Sequence, residues 1–410
     1  MHDPAHHSHR HFGLRLTFTV ALFAMLAPFS IDTYLPSFPD IAQEFSASPV
    51  AMQQTLSLYL LAFAVMMLVY GPISDAFGRK NVVLVSVVVY VATSVGCALA
   101  TNIHWLLLMR IGQGLSASGA LVVGRAIIRD AFAGPAAQRV MSQVMLIFAV
   151  APAVAPIIGG WLHDAFGWRS VFWFLVLLGL VVWLWAALFL PETLPPVGRQ
   201  SGHPRAIAAA YWRALATGRF MVLIAVIALN FGGFFLYIAG APDVMYRHLH
   251  YGADDFGRLF VPLVAGLMLG AFISGRVAGR FSHVQAVGAG FGLMLAAAGV
   301  NLGLAAWLAH TAYTIIVPVM LYATGMSLAM PNLSLLALDV FPSHRGLASA
   351  LQGFSQAGFN ALVAGLLAPL LSHRVEFLAG GMLALNLAGV GMWFYWRQRF
   401  NAHEPATALS

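Results

Sequence analysis

Gly71-Pro72-Ile73-Ser74-Asp75-Ala76-Phe77-Gly78-Arg79-Lys80 is a short polar run between two long apolar segments, 50–71 and 81–100. Each flanking segment is long enough to cross the hydrocarbon core of a bilayer, which takes about 20 apolar residues. The glycines permit a tight turn, Asp75 can accept hydrogen bonds at a helix N-terminus, and Arg79 supplies a countercharge. The run therefore predicts an ordered turn between two membrane-spanning helices.

The same apolar pattern recurs along the whole chain. Hydrophobic residues make up 60% of the sequence and charged residues only 9%, whereas soluble domains have about 45–50% and 25%. We therefore predict an all-α integral membrane protein with twelve spans: 14–35, 50–71, 81–100, 104–124, 140–162, 169–190, 219–240, 257–278, 283–307, 311–335, 346–371 and 375–396.

One long polar stretch divides these spans into two sets of six. This stretch, 191–218, contains four prolines and three arginines, and proline interrupts helices. The sequence predicts two six-helix bundles joined by a cytoplasmic linker, with these boundaries: N-terminal tail 1–13, first bundle 14–190, linker 191–218, second bundle 219–396 and C-terminal tail 397–410.

The distribution of Lys and Arg predicts the orientation. An inside N-terminus places sixteen of these residues on the cytoplasmic side and four on the other side: Arg169, Arg247, Arg258 and Arg374. Positive charge collects in cytoplasmic loops. We expect a multi-pass protein of a bacterial inner membrane with both termini cytoplasmic, and the net charge of +7 reflects this topology rather than a nucleic-acid partner.

The two halves also resemble each other. Tyr34-Leu35-Pro36-Ser37-Phe38-Pro39-Asp40-Ile41 ends the first span, and Tyr237-Ile238-Ala239-Gly240-Ala241-Pro242-Asp243-Val244 ends the seventh, at an offset of 203 residues. Many transporters are built from such repeats around a central site. At the position equivalent to Asp32 the second half has Phe235, so the acid is not duplicated.

Two ionisable residues within the apolar spans stand out, Asp32 and Arg110. A buried ion is costly, so each should face water or the other. Asp32 is our candidate for proton coupling, and the alternative is simple helix termination before Pro36. Arg110 has two interpretations: a fixed structural ion pair, or control of the proton affinity of a nearby carboxylate.

Aromatic and polar residues within the spans are candidates for a substrate pocket, because such pockets combine apolar walls with few polar groups. The alternative is that they face lipid or fill the core. The predicted substrate-binding residues are Tyr34, Tyr59, Asn230, Phe231, Phe234, Phe235 and Tyr237.

Three runs resemble motifs of the major facilitator superfamily. The opening run is similar to its signature loop, which implies that Gly71, Asp75, Gly78, Arg79 and Lys80 act as a conformational latch. Leu108–Gly114 resembles the buried-arginine motif around Arg110. Pro152–Gly160 resembles the antiporter motif, with Ala155 where glycine is usual, and the residues implied are Pro152, Pro156, Gly159 and Gly160.

Pro191–Thr193 resembles the pattern of the family's drug exporters, and three other segments are similar to the Bcr/CflA multidrug-resistance subfamily: Asp32–Ser37, the region from Gly240 to Gly257, and Arg345–Gly353. This resemblance implies a proton-coupled antiporter that exports hydrophobic drugs by alternating access. A proton symporter or facilitator that imports a small metabolite remains an alternative, since a fold does not determine transport direction.

Other classes of protein fit less well. The only lysine, Lys80, is followed by Asn81 and lacks a phosphate-loop spacing, and Gly353–Ala357 misses the nucleophile-elbow pattern at its last position. His104, His163 and His310 lie near span ends without sequence partners. We expect no catalytic residue, metal or cofactor, a proton gradient as energy source, drugs, protons and lipid as partners, and a monomer.

Overall fold

The computed structural model describes residues 4–196 and 204–401. In this part of the chain, twelve helices are long and apolar enough to cross a membrane, so the predicted all-α fold is confirmed. In chain order they are α1 (Pro4–Asp32), α2 (Pro49–Phe77), α3 (Arg79–Ala98), α4 (Ile103–Ala131), α5 (Gly134–Phe166), α6 (Trp168–Phe189), α7 (Gly218–Ala239), α8 (Phe256–Val277), α9 (His283–Trp307), α10 (Ala312–Leu338), α11 (Arg345–Leu362, continued to Leu371) and α12 (Val375–Trp396).

The ends of the first helix differ from the prediction. Helix α1 begins at Pro4, inside the predicted tail 1–13, and ends at Asp32, where a single turn (Leu35–Ser37) and a short helix (Phe38–Glu44) follow. Pro36 and Pro39 lie in this region, and proline cannot donate the backbone hydrogen bond that would continue α1. Residues 1–3 and 402–410 lie outside the described part of the chain.

The predicted linker 191–218 contains a helix of its own. Helix Pro204–Leu215 occupies its second half, and Pro204 stands at the first helical position, where its missing N–H is not needed. Residues 197–203 of the predicted linker lie outside the described residues.

The chain forms two compact units. The first is Met1–Gly202 with Ala241–Val264, and the second is His203–Gly240 with Ala265–Ser410. The grouping differs from the predicted bundles 14–190 and 219–396 because the segment 241–264 packs with the first unit.

Two contacts hold the segment 241–264 against the first unit. The Tyr246 hydroxyl donates a hydrogen bond to the carbonyl oxygen of Pro36 (2.6 Å). Gly160 of α5 lies directly against the backbone of Ala253. The segment is therefore attached to the end of α1 and to α5.

The same helix pairs pack in both units, which supports the six-plus-six repeat. In the first unit, α1 packs on α4, α5 and α6, and α3 packs on α4 and α6. In the second unit, α7 packs on α10, α11 and α12, and α9 packs on α10 and α12. Adding six to the helix numbers of each pair in the first unit gives the corresponding pair in the second unit.

Small residues allow the closest helix contacts. A Cβ atom at Gly114 of α4 would overlap the carbonyl oxygen of Tyr59 in α2. Gly290 of α9 and Gly325 of α10 face each other's backbone in the second unit. Helices in lipid associate mainly through such backbone proximity, since burial of apolar surface drives them little.

Gly114→Ala should therefore destabilise the protein by about 1–3 kcal/mol, because the added methyl group forces α2 and α4 apart. Gly292→Ala is the matched control, since nothing lies within 4 Å of a Cβ there and alanine favours a helix by about 1 kcal/mol. Thermal unfolding in detergent should give shifts of opposite sign, and equal shifts would contradict this interpretation.

Candidate functional site

Asp32 is the last residue of α1 and is only 3% exposed. Its Oδ1 atom is buried without a hydrogen-bond partner, and no ion pair of Asp32 occurs among residues 4–196 and 204–401. Helix α1 ends at Asp32, as the helix-termination interpretation expects, and the carboxyl group is buried, as the proton-coupling interpretation expects. A buried, unpaired carboxyl group is the type of group whose charge state responds most strongly to its surroundings.

Arg110 is fully buried in α4 and is held by neutral oxygen atoms. Its Nη1 donates to the Ser30 carbonyl oxygen (3.0 Å) and to Gln113 Oε1 (2.8 Å), and its Nε donates to the Thr55 carbonyl oxygen (3.2 Å). No carboxylate lies within ion-pair distance of it in the described part of the chain, so the predicted structural ion pair is absent there. Arg110 is connected to Asp32 through the backbone of α1, because it binds the carbonyl oxygen of Ser30, two residues before Asp32.

Two of the predicted pocket residues enclose this guanidinium group. The rings of Tyr34 and Tyr59 lie 4.3 and 4.4 Å from the Arg110 carbon atom Cζ, and both side chains are fully buried. Cation–π contacts of this kind stabilise a desolvated cation by about 2 kcal/mol. The structure thus places Tyr34 and Tyr59 in the Arg110 cluster, and their contact with a substrate stays a prediction.

The cluster extends through residues that the sequence prediction missed. The Ser30 hydroxyl lies 2.7 Å from the Tyr90 hydroxyl, and Gln113 Nε2 donates to the Ser94 hydroxyl (2.7 Å). Gln113 stands three positions after Arg110, on the same face of α4, and a polar residue at that spacing in an apolar span is the signal that would have identified it.

The predicted latch is built around Arg79, which is 7% exposed. Helix α2 continues to Phe77, and Gly78 alone makes the turn, with φ of 93°. Arg79 then pairs with Asp75 (2.6 Å) at the end of α2 and with Asp130 (2.9 Å) at the end of α4. One guanidinium fork therefore joins three helices.

Two predicted details of the latch are wrong. Asp75 lies in the last turn of α2, so the carboxylate at the N-terminus of α3 is Glu192, which accepts from the backbone N–H of Arg79 (3.0 Å) and of Lys80 (3.3 Å). Gly71 lies inside α2, and nothing is within 4 Å of a Cβ built there. Lys80 Nζ donates to the Ala187 carbonyl oxygen (2.9 Å) at the end of α6.

The run Pro152–Gly160, which resembles the antiporter motif, lies against the segment that follows Asp32. Helix α5 continues through Pro152 and Pro156, and a Cβ at Gly159 would overlap the carbonyl oxygen of Thr33. Gly160 makes the same kind of contact with Ala253. The structure thus brings this motif and Asp32 together, a proximity that the sequence did not predict.

The predicted residues of α7 form an aromatic and polar group in the second unit. Phe231 packs on Phe234 and Phe235 with ring centroids 5.7 and 6.2 Å away, and it alone of the five is partly exposed. Tyr237 is fully buried and accepts a hydrogen bond from Asn301 (2.5 Å), and Asn230 is fully buried. Phe231 is therefore the residue of this set best placed to meet a ligand.

A cavity of about 530 Å³ lies elsewhere in the first unit. Its walls come from α2, α3 and α4 and include Tyr70, Phe77, Val85 and Leu115. None of the seven predicted substrate residues lines it, so this cavity and the predicted pocket are distinct.

Arg79→Lys should lower the free energy of unfolding by about 1–3 kcal/mol, because one ammonium group cannot reach both carboxylates as the fork does. Arg345→Lys is the matched control, since Arg345 and its partner Asp339 are 59% and 56% exposed and an exposed pair contributes at most about 1 kcal/mol. Thermal unfolding checks this expectation, and equal losses in both variants would contradict it.

Comparison with known proteins identifies the family. Residues 20–364 match the model of the Major Facilitator Superfamily. The chain is 32% identical over 86% of its length to the uncharacterized MFS-type transporter YdgK of Bacillus subtilis, of which 88% is covered. It is 28% identical to a bicyclomycin resistance protein homolog of Haemophilus influenzae, with 85% of this chain and 88% of that protein covered.

The fold agrees with this match. A solved bacterial homolog of the human lysosomal transporter Spinster superposes with a TM-score of 0.72 at 19% identity, covering 98% of this chain and 99% of that one. With twelve membrane-spanning helices and a family model matched over most of its length, the chain belongs to the Major Facilitator Superfamily and is a multi-pass membrane transporter.

Proposed function

We propose that this transporter is a proton-coupled antiporter that exports small hydrophobic drugs across a bacterial inner membrane by alternating access. The observation that carries the proposal is the buried carboxyl group of Asp32, whose Oδ1 has no hydrogen-bond partner. A carboxyl group in this setting can bind and release a proton as its access to water changes. The proton gradient would then be the energy source, with no cofactor needed.

The surroundings of Asp32 support a role in coupling. The Arg110 cluster contacts α1 at Ser30, two residues away, while Gly159 contacts the backbone of Thr33, the next residue. Asp32 forms no ion pair within residues 4–196 and 204–401, so the acid remains free to exchange its proton. We assign Asp32 as the proton-binding residue and Arg110 as a residue that positions α1.

Drug export is proposed on two grounds. The quoted motifs resemble the Bcr/CflA subfamily, and a relative of similar length is named for bicyclomycin resistance. The partly exposed Phe231, which meets Phe234 edge to face and stacks on Phe235, offers an aromatic surface of the kind that binds apolar drugs without strict geometry.

The orientation is proposed from charge. Sixteen Lys and Arg residues against four favour cytoplasmic termini. The latch around Arg79 then lies at the cytoplasmic end of the first unit, and the end of α1 with Asp32 lies toward the outer side.

Asp32→Asn should abolish gradient-driven transport while leaving the protein folded, because the amide cannot carry a proton at any pH used. Bicyclomycin movement in proteoliposomes, with and without an imposed pH gradient, measures this effect. The wild type should respond to the gradient, and the variant should not. Asp339→Asn, at an exposed acid, is the control and should respond like the wild type. A gradient response that survives in Asp32→Asn would move the proton site elsewhere.

A second measurement separates export from the alternative, a symporter that imports a metabolite in the same fold. A bicyclomycin gradient is imposed without a pH gradient, and a dye in the lumen reports pH. An antiporter drives protons in the direction opposite to the drug, whereas a symporter drives them in the same direction. Proton movement along with bicyclomycin would refute antiport.

A further inference from the structure

A cluster of titratable residues lies at the same end of the first unit as Asp32 and has no part in the function proposed above. His163, in the last turn of α5, is 11% exposed and stands between two groups. Its Nδ1 lies 3.0 Å from the Ser37 hydroxyl, and its Nε2 lies 3.2 Å from Asp40 Oδ2. The sequence prediction that His163 is unpaired is therefore wrong.

This cluster is continuous with Asp32 along two packed segments. Gly159 contacts Thr33, and His163 contacts Ser37. The two contacts are four residues apart in α5 and four residues apart in the segment after α1. The two segments therefore pack side by side over roughly 6 Å. Asp32 stands at the buried end of this interval.

The other end of the interval is open to water. Asp40 is 57% exposed, whereas Ser37 is fully buried. The two sides of the His163 ring thus face different surroundings: Nε2 faces an exposed acid, and Nδ1 faces a buried hydroxyl group. A proton that passes through the ring would move from the surface toward Asp32.

The groups around His163 make this end acidic. Asp164 follows it in α5, and Asp254 lies on the segment packed against α5; neither forms an ion pair within residues 4–196 and 204–401. Both, with Asp40, interact electrostatically with the phenol of Tyr246. Burial chiefly, and these three carboxylates in addition, raise the pKa of Tyr246, so its hydroxyl stays protonated and continues to donate to Pro36.

The remaining charges at this end are paired. Glu44 binds Arg169 (2.7 Å), and Asp255 binds Arg258 (2.9 Å). The excess of negative charge therefore comes from the acids near His163, and such a surface raises the local concentration of protons.

We propose that His163 is a proton relay that carries protons from the acidic outer surface, through Ser37, to Asp32. The proposal rests on the assignment of Asp32 as the proton-binding residue. Imidazole suits this role because it ordinarily gains and loses a proton between pH 5 and 8 and has one nitrogen on each side of the ring.

The transfer balances as follows. A proton from outer water, collected at Asp40, binds His163 Nε2 and makes the ring a cation. The ring releases its Nδ1 proton to Ser37 Oγ, and the Ser37 hydroxyl gives up its own proton, which passes inward to the Asp32 carboxylate. One proton leaves the outer water, one neutral carboxylic acid forms, and the ring is left neutral with its proton on Nε2, facing Asp40.

The relay can be tested without a transported drug. The carbonyl stretch of protonated Asp32 is followed by infrared spectroscopy in proteoliposomes after a rapid drop in outer pH. The band is assigned to Asp32 because it should be absent from the Asp32→Asn variant. His163→Gln retains hydrogen-bonding groups but cannot be protonated. We expect it to slow the appearance of the band roughly tenfold or more, with no change in the pH of half-protonation at equilibrium. His310→Gln, which removes a histidine bonded to the Ala305 carbonyl oxygen, should leave the rate unchanged.

Chemical rescue separates a relay from a packing role. In His163→Ala, imidazole added to the outer buffer should restore the rate, since it replaces the missing proton carrier. An unchanged rate in His163→Gln, or a shifted equilibrium with no rescue in His163→Ala, would overturn the relay. If Asp32→Asn retains the band or gradient-driven transport, the proposed function fails instead, so the two failures are distinguishable.

Discussion

A bilayer interior offers no water to polar groups, and this constraint governs every charge in the described part of the protein. Arg110 is the clearest case, because its guanidinium group is fully buried in a membrane helix. Backbone carbonyls of α1 and α2, the Gln113 side-chain oxygen and two tyrosine rings replace part of its hydration shell, while Nη2 has no hydrogen-bond partner in residues 4–196 and 204–401. The packing of α4 against α1 and α2 therefore depends on solvating one cation.

Among the described residues, the buried arginines Arg79 and Arg110 have different kinds of partner. Arg79 lies between two carboxylates at a helix end, where its own side chain is buried and Asp75 is half exposed. Arg110 contacts no carboxylate among the described residues, and its partners are groups that cannot change charge in the physiological range. The charged partners of Arg79 are consistent with the proposed latch, and the neutral partners of Arg110 are consistent with the proposed role of positioning α1.

The end of α1 is where these features meet. Pro36 ends the helix and leaves Asp32 buried in its last turn. Gly159, which has no side chain, contacts the backbone of Thr33 directly. The next turn brings Ser37 to His163. A structural interruption of a membrane helix thus places a carboxyl group, a close helix contact and a histidine within about two turns. Comparable interruptions form binding sites in other transporters.

The sequence by itself determined the class of protein, the twelve spans and the repeat, because hydrophobicity and motif spacing are local properties. It also singled out Asp32, Arg110 and the latch residues, since ionisable groups stand out in apolar segments. It could not tell that Arg110 has neutral partners, that Glu192 rather than Asp75 lies at the N-terminus of α3, or that His163 is bonded to Ser37 and Asp40. Apart from the bond between Arg110 and Gln113, each of these contacts joins residues more than 50 positions apart. Only the packing of helices in the tertiary structure decides such partners, since side chains distant in sequence meet according to helix rotation and crossing, which composition does not specify.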